Sequence, residues 1–133
     1  MAEEVLINDG GAPARILPFT ASEAITAGAA LEIHSVAGQV KLADADGVPV
    51  AGFALTDADS GAMVNVVSGS GVILNAYVDG QSPTVAIGDF LEIGEDGDLI
   101  KQAAAADTTV VAVALEACSG TPAATTLTKV LVF

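Results

Sequence analysis

Gly28-Ala29-Ala30-Leu31-Glu32-Ile33 and Gly88-Asp89-Phe90-Leu91-Glu92-Ile93 share their glycine, leucine, glutamate and isoleucine at an offset of 60 residues (88 − 28). The match continues outward. Gly38-Gln39-Val40 falls on Gly97-Asp98-Leu99 after a one-residue deletion, and Val50-Ala51-Gly52-Phe53-Ala54-Leu55 falls on Val110-Val111-Ala112-Val113-Ala114-Leu115 at the offset of 60 again. A recurrence of this kind marks one supersecondary unit used twice, and it constrains the whole fold.

Each copy reads as a glycine turn, a short alternating strand, a second turn at Gly38 or Gly97, another short strand, a polar loop and an apolar run. Period-two alternation bounded by Gly and Asp indicates half-buried strands, with Leu31 and Ile33 on the inner face and Glu32 and His34 on the outer one. The runs Val50 to Leu55 and Val110 to Leu115 read as strands covered on both faces. A pair of strands is marginal alone, so the copies are expected to share a core. The fold class expected is all-β: a compact β-barrel or β-sandwich made of two copies, about 25–67 and 85–133, in one domain of residues 23–133.

Residues 1–22 lie outside the recurrence and read as an extended N-terminal arm. Val5-Leu6-Ile7 suits a short strand, Asn8-Asp9-Gly10-Gly11 a turn, and Pro13 and Pro18 bracket Ala14-Arg15-Ile16-Leu17. Proline confines such a piece to an edge strand or an extended arm. It either closes its own barrel or covers a neighbour, and the partner-interface residues expected here are Val5, Leu6, Ile7, Arg15, Ile16, Leu17 and Phe19. Further on, Met63–Val67 and Val72–Ala76 suggest a hairpin around Ser68-Gly69-Ser70-Gly71. Tyr77 to Pro83 reads as the link between copies, Ala103 to Ala106 as a loop, and Leu127 to Phe133 as a final strand whose counterpart is Met63 to Val67.

Composition narrows the function. With no Trp, one Tyr and four Phe, the core is built of small aliphatics, which argues against an aromatic-lined ligand pocket. Seventeen Asp and Glu against four basic residues give a formal net charge of −13, a sign that repels nucleic acid and anionic membranes. Such a surface suits high salt, where the screening length falls to about 3 Å at 1 M, and it equally serves ordinary solubility. Cys118 is the single cysteine, expected to be an inert buried thiol. The acidic start Met1-Ala2-Glu3-Glu4 lacks the basic and apolar regions of a signal peptide, and no run reaches the roughly twenty residues of a membrane span, so synthesis in a cytoplasm is expected.

Catalytic, metal and cofactor sites are not expected. His34 is the only histidine and Cys118 the only cysteine, too few for a zinc site of nitrogen and sulfur ligands. Gly69-Ser70-Gly71 lacks the pattern of a nucleophile elbow. Calcium loops starting at Asp44 or Asp57 fail, because their fifth and twelfth positions hold Val48 and Leu55, or Gly61 and Ser68. Glu32 and Glu92 recur because the unit recurs, which does not make them a glycosidase pair.

The succession Ile25-Thr26-Ala27-Gly28, Leu31-Glu32-Ile33, Gly38-Gln39-Val40, Val50 to Ala54, Ile87-Gly88-Asp89 and Val110 to Leu115 resembles the small capsid cement, or head decoration, proteins of tailed phages and related archaeal viruses. The resemblance covers residues 20–133 and consists of glycine turns and apolar strands without a signature motif. It implies a β-barrel-like virion protein, often a homotrimer, on the exterior of an icosahedral capsid at contacts between major capsid protein subunits, with no enzymatic role. The acidity departs from the family and leaves host and salt open. A second expectation, a surface β-sandwich module for carbohydrate or receptor, would need exposed aromatics, for which only Tyr77 is a candidate.

Overall fold

The computed structural model describes residues 5–8, 15–44, 50–68, 70–81, 83–102, 110–120 and 127–133. Eleven strands follow in order: β1 (Leu6–Asn8), β2 (Arg15–Ala21), β3 (Ala30–Ile33), β4 (Gln39–Leu42), β5 (Val50–Ala54), β6 (Met63–Ser68), β7 (Ile73–Ala76), β8 (Phe90–Ile93), β9 (Leu99–Lys101), β10 (Ala112–Ala114) and β11 (Thr128–Val132). No helix occurs among the described residues. The all-β expectation therefore holds. The loop expected at Ala103 to Ala106 and, past Asn8, the turn expected at Asn8 to Gly11 lie outside the described residues.

The duplication is visible strand by strand. β2, β4, β3, β5 and β6 close into a five-stranded barrel, while β1, β7, β11, β10, β8 and β9 form a six-stranded sheet. In the barrel Leu31 faces Gly52 and Ala54 faces Val66; in the sheet Leu91 faces Ala112 and Ala114 faces Val130. Leu17 pairs with Val66 as Leu74 pairs with Val130. The antiparallel bridge Ile25↔Ala58 returns as Val85↔Cys118, and the parallel contact Ala21↔Val40 as Val78↔Leu99. Each copy is thus five strands, β2–β6 and β7–β11, and the sheet curls toward the barrel closure of the first copy through the single bridge Val78↔Leu99.

Three expectations change as a result. Each copy starts one strand earlier than the sequence suggests: of the two expectations for the arm, covering a neighbour or closing its own barrel, Arg15–Ala21 follows the second, a barrel strand paired to β6 along its length and to β4 at Thr20 and Ala21. β6 and β7 are not a hairpin, because β6 pairs with β2 and β5, and β7 with β1 and β11. The crossing between copies falls there, and Tyr77 to Gln81 lies inside the second copy.

The cores explain the composition. The first barrel is filled by Ala21, Ile25, Leu31, Val40, Ala54, Ala58, Val64 and Val66. A five-stranded barrel has little interior, which small and branched side chains fill and aromatic rings would overfill. The interior of the second copy, including Leu91, Leu99, Ala114 and Val130, is continuous with Ala30, Phe53 and Val67 of the first. The copies share a core, and Phe53 sits at their junction.

The junction also reverses one face assignment. Glu32, expected outside, is 1 % exposed, while Ile33, the last residue of β3 and expected inside, is 45 % exposed. Glu32 shares its face with Ala30, the face that packs on the second copy. Its buried carboxylate Oε1 accepts the Asp44 N–H at 2.7 Å, which satisfies a backbone donor beside the junction.

Candidate interaction surface

The sequence-selected residues divide into two groups. Val5 is buried in the shared core, and its carbonyl accepts the Asn75 N–H at 2.7 Å, so it is a packing residue. Leu6 pairs with Leu74, which makes β1 the outer strand beside β7; for Leu6 and Ile7 only the backbone is described. Phe19 is half-buried against the first core. Arg15, Ile16 and Leu17 are exposed. Arg15, Ile16, Leu17 and Phe19 thus share β2, its first three residues exposed and Phe19 half-buried, while Val5 lies in the shared core.

The open side of β2 can be derived from its register. The Ala21 N–H points to Ala62 of the β6 side, whereas the Thr20 and Ser22 N–H groups point to Gly38 and Val40 on the β4 side. The β2–β6 pairing is regular from Arg15 to Thr20, so even-numbered residues turn away from β6. Among the described residues no strand pairs with Ile16 or Pro18 on that side. Ile16 offers its N–H and carbonyl there, and Pro18 offers a carbonyl alone. In the second copy the same edge is filled by β1, with Asn75, the counterpart of Pro18, donating to Val5. Proline therefore blunts the first edge against strand addition. What remains for contact is side chains, Ile16 at 49 % exposure and Leu17 at 39 %.

Two concavities lie near the junction. One of about 320 Å³ runs between the copies, walled by Phe53, Val67, Val72, Leu74, Val132 and Phe133 among others, and none of the described residues that line it carries a titratable side chain. The other, about 260 Å³, is lined by Thr26, Tyr77, Glu95, Asp96 and Asp98 with Ala29 and Leu42. Burial pushes the Asp98 carboxyl above the ordinary aspartate range; the Glu95 N–H, donated to Oδ1 at 2.8 Å, opposes this, and Asp79, Glu95 and Asp96 add to it. Among the described residues no group of three or more His, Cys, Asp or Glu is placed to hold a metal ion.

The side chains with chemical potential are dispersed. The His34 Nδ1 accepts the Val36 N–H at 3.1 Å, a local turn contact. The Cys118 thiol, half-buried, makes weak contacts of 3.5 Å to the Val78 carbonyl and 3.7 Å to that of Gly120. Glu32 and Glu92 occupy equivalent places in different copies. Tyr77 is half-buried, packing against the shared core and lining the second concavity.

No protein-family model matches the chain, and no curated protein matches it at a significant level. Among solved structures it is similar to the crystal structure of the head fiber gp8.5 N base in bacteriophage phi29, with a TM-score of 0.69 and 18 % identity over 91 % of this chain and 95 % of that one. The chain shares its fold with that phage base. The likeness extends over both copies, so the paired arrangement itself is common to the two. The sequence pointed to Ile16 and Leu17 but missed their counterparts; the signal is the Ile-Leu pair that returns as Ile73-Leu74 at an offset of 57 (74 − 17).

Proposed function

We propose that this chain is a structural virion protein that decorates the exterior of an icosahedral capsid and reinforces contacts between major capsid protein subunits. The observation that carries the reading is the fold shared with a phage head-fiber base across nearly the whole of both chains. Exposed apolar side chains on a surface of net charge −13 support it, since such a surface stays soluble yet keeps places for protein contact. In this reading the chain has no catalytic role, acts as a homotrimer, is made in the host cytoplasm, and works in a salt-rich host whose ions screen its acidity.

Arg15, Ile16 and Leu17 form the shell-facing patch in this proposal. Deleting residues 2–19 is a poor test, because it removes Val5 from the core and most of β2 from the barrel. The informative variant is the double substitution Ile16→Glu with Leu17→Glu, scored by co-sedimentation with empty tailed-virus shells. Wild-type protein should pellet with the shells and the variant should stay in the supernatant with its β-sheet circular dichroism intact. Failure of the wild type to pellet at any salt would defeat the reading.

A further inference from the structure

The joint between the two copies is charged on one side and apolar on the other. On the charged side Gly97 of the second copy is the fastener: its carbonyl accepts the Ala30 N–H at 2.8 Å, its N–H donates to the Ala43 carbonyl at 2.9 Å, and a Cβ added to it would stand 3.0 Å from both Ala29 and Leu42. Beside it the Asp96 N–H donates to Asp44 Oδ1 at 3.1 Å. The second concavity opens next to these bonds, walled by Thr26, Ala29 and Leu42 of the first copy and by Tyr77 and the acids of the turn from the second. Water can therefore take over the donors and acceptors as soon as the turn withdraws.

Like charge gathers on both sides of those bonds. The second copy brings Asp79, Glu95, Asp96 and Asp98. The first brings Asp44, with Glu32 accepting the Asp44 N–H at 2.7 Å and Glu23 accepting the Leu42 N–H at 3.2 Å. Among the described residues the cation in their midst is Lys41, cross-strand partner of Glu32 and 3.4 Å from Asp44 Oδ2. Burial above all raises the Asp98 carboxyl, and Asp79, Glu95 and Asp96 raise it further, against the Glu95 N–H that its Oδ1 accepts. A carboxyl raised in the seated turn and ordinary in a withdrawn one favours the seated turn fully below about pH 3.9, and that preference is lost as pH rises through the raised value. On the other side of the joint the copies meet through Phe53, Val67, Val72 and Leu74, which carry nothing that titrates, and the Tyr77 N–H donates to the Gly28 carbonyl at 3.0 Å.

We propose that the Gly97 turn is a proton-operated clasp: it stays seated on Ala30 and Ala43 in acid or in concentrated salt, and it swings off the first copy at neutral pH in dilute salt while both copies remain folded and joined through Phe53. The joint has the parts for this. An apolar pivot indifferent to pH holds the copies together, a few hydrogen bonds hold the turn, and charge of one sign on both sides of those bonds drives them apart once Asp98 ionises. Opening of this extent is local, and local openings occur at free energies well below that of the whole domain. Salt acts in the same direction as protons, because the screening length shrinks from about 30 Å at 0.01 M to about 3 Å at 1 M. The clasp works within a single molecule, with or without a capsid.

The test is amide hydrogen exchange of the full chain, followed residue by residue by NMR and corrected for the intrinsic rate at each pH. In about 0.01 M salt, protection of the Ala30 and Gly97 amides should fall about tenfold or more from about pH 4 to about pH 8. The equivalent amides of Ala54 and Ala114, bonded within their own copies at 2.9 Å to the Ala29 and Asp89 carbonyls, should keep theirs. Raising NaCl to about 1 M at the higher pH should restore protection at Ala30 and Gly97. Asp98→Asn keeps an acceptor for the Glu95 N–H and should hold both amides protected at either pH. Asp79→Asn, which removes a repelling charge, takes its place if that variant unfolds, and it should shrink the fall. Flat protection in the wild type, loss at Ala54 and Ala114 in step with Ala30 and Gly97, no recovery in salt, or an unchanged fall in the variant would each overturn the clasp.

Discussion

Gly97→Ala and Gly38→Ala are one chemical change at two equivalent turns, with φ of +83° and +77°. Both variants force an L-residue into the left-handed region, at about 1–2 kcal/mol. At Gly38 that is the whole cost, because the added methyl meets nothing within 4 Å. At Gly97 it would stand 3.0 Å from the Ala29 Cβ, 3.0 Å from the Leu42 Cδ2 and 3.1 Å from the Ala30 carbonyl. Overpacking of this kind costs about 1–3 kcal/mol. Relieving it moves the turn outward and weakens its bonds to Ala30 and Ala43, each worth about 0.5–1.5 kcal/mol. Gly97→Ala should therefore lose about 3–6 kcal/mol against about 1–2 for Gly38→Ala, a large part of the roughly 5–15 kcal/mol that holds a domain. Urea unfolding midpoints at equal m, in high salt and at a dilution that keeps the chain monomeric, measure the difference. Equal midpoints for the two variants would refute the claim that the Gly97 turn fastens the copies together.

Other outcomes follow from single groups. Glu32→Ala should cost about 1–3 kcal/mol by stranding the Asp44 N–H, and Glu32→Gln, which keeps an acceptor, should cost less; equal urea midpoints would contradict the role given to that carboxylate. Asp98 has its folded pKa raised above the unfolded one, so its contribution to stability is fully present below the unfolded value of about 3.9 and is lost as pH rises through the folded value. Asp98→Asn, still able to accept the Glu95 N–H, should melt higher than wild type at pH 7, and the gap should close below about pH 3.9. Melting temperature should rise between about 0.01 and 1 M NaCl as the screening length drops from about 30 to 3 Å, and a flat response would mean that self-repulsion is not limiting stability.

Much of the architecture was legible because glycine turns and the apolar runs Val50–Leu55 and Val110–Leu115 recur at one offset. β2 and β7 escaped because unequal loops change that offset: Leu17 maps to Leu74 at 57, Leu31 to Leu91 at 60, and Val66 to Val130 at 64. A search at a fixed period drops the first strand of each unit. The burial of Glu32 was hidden for a different reason. Alternation gives the side of a strand and is silent on whether a second layer covers that side, and here the other copy does. Within the candidate surface, Ile16 and Leu17 could be read as edge residues from Pro18, but nothing local distinguishes Val5, whose burial depends on a strand made much later.

That last dependence bears on how the molecule is born. Leu6 finds its partner Leu74 after 68 intervening steps of sequence (74 − 6), whereas β2–β6 need only residues 15–68. As a nascent chain leaves the ribosome N-terminus first, the earlier barrel can close while the leading strand is still waiting for β7. During that interval the vacant rim at Ile16 and Pro18 is the nearest wrong berth, and the amide that proline lacks denies the waiting strand one of the bonds it will later make with Asn75.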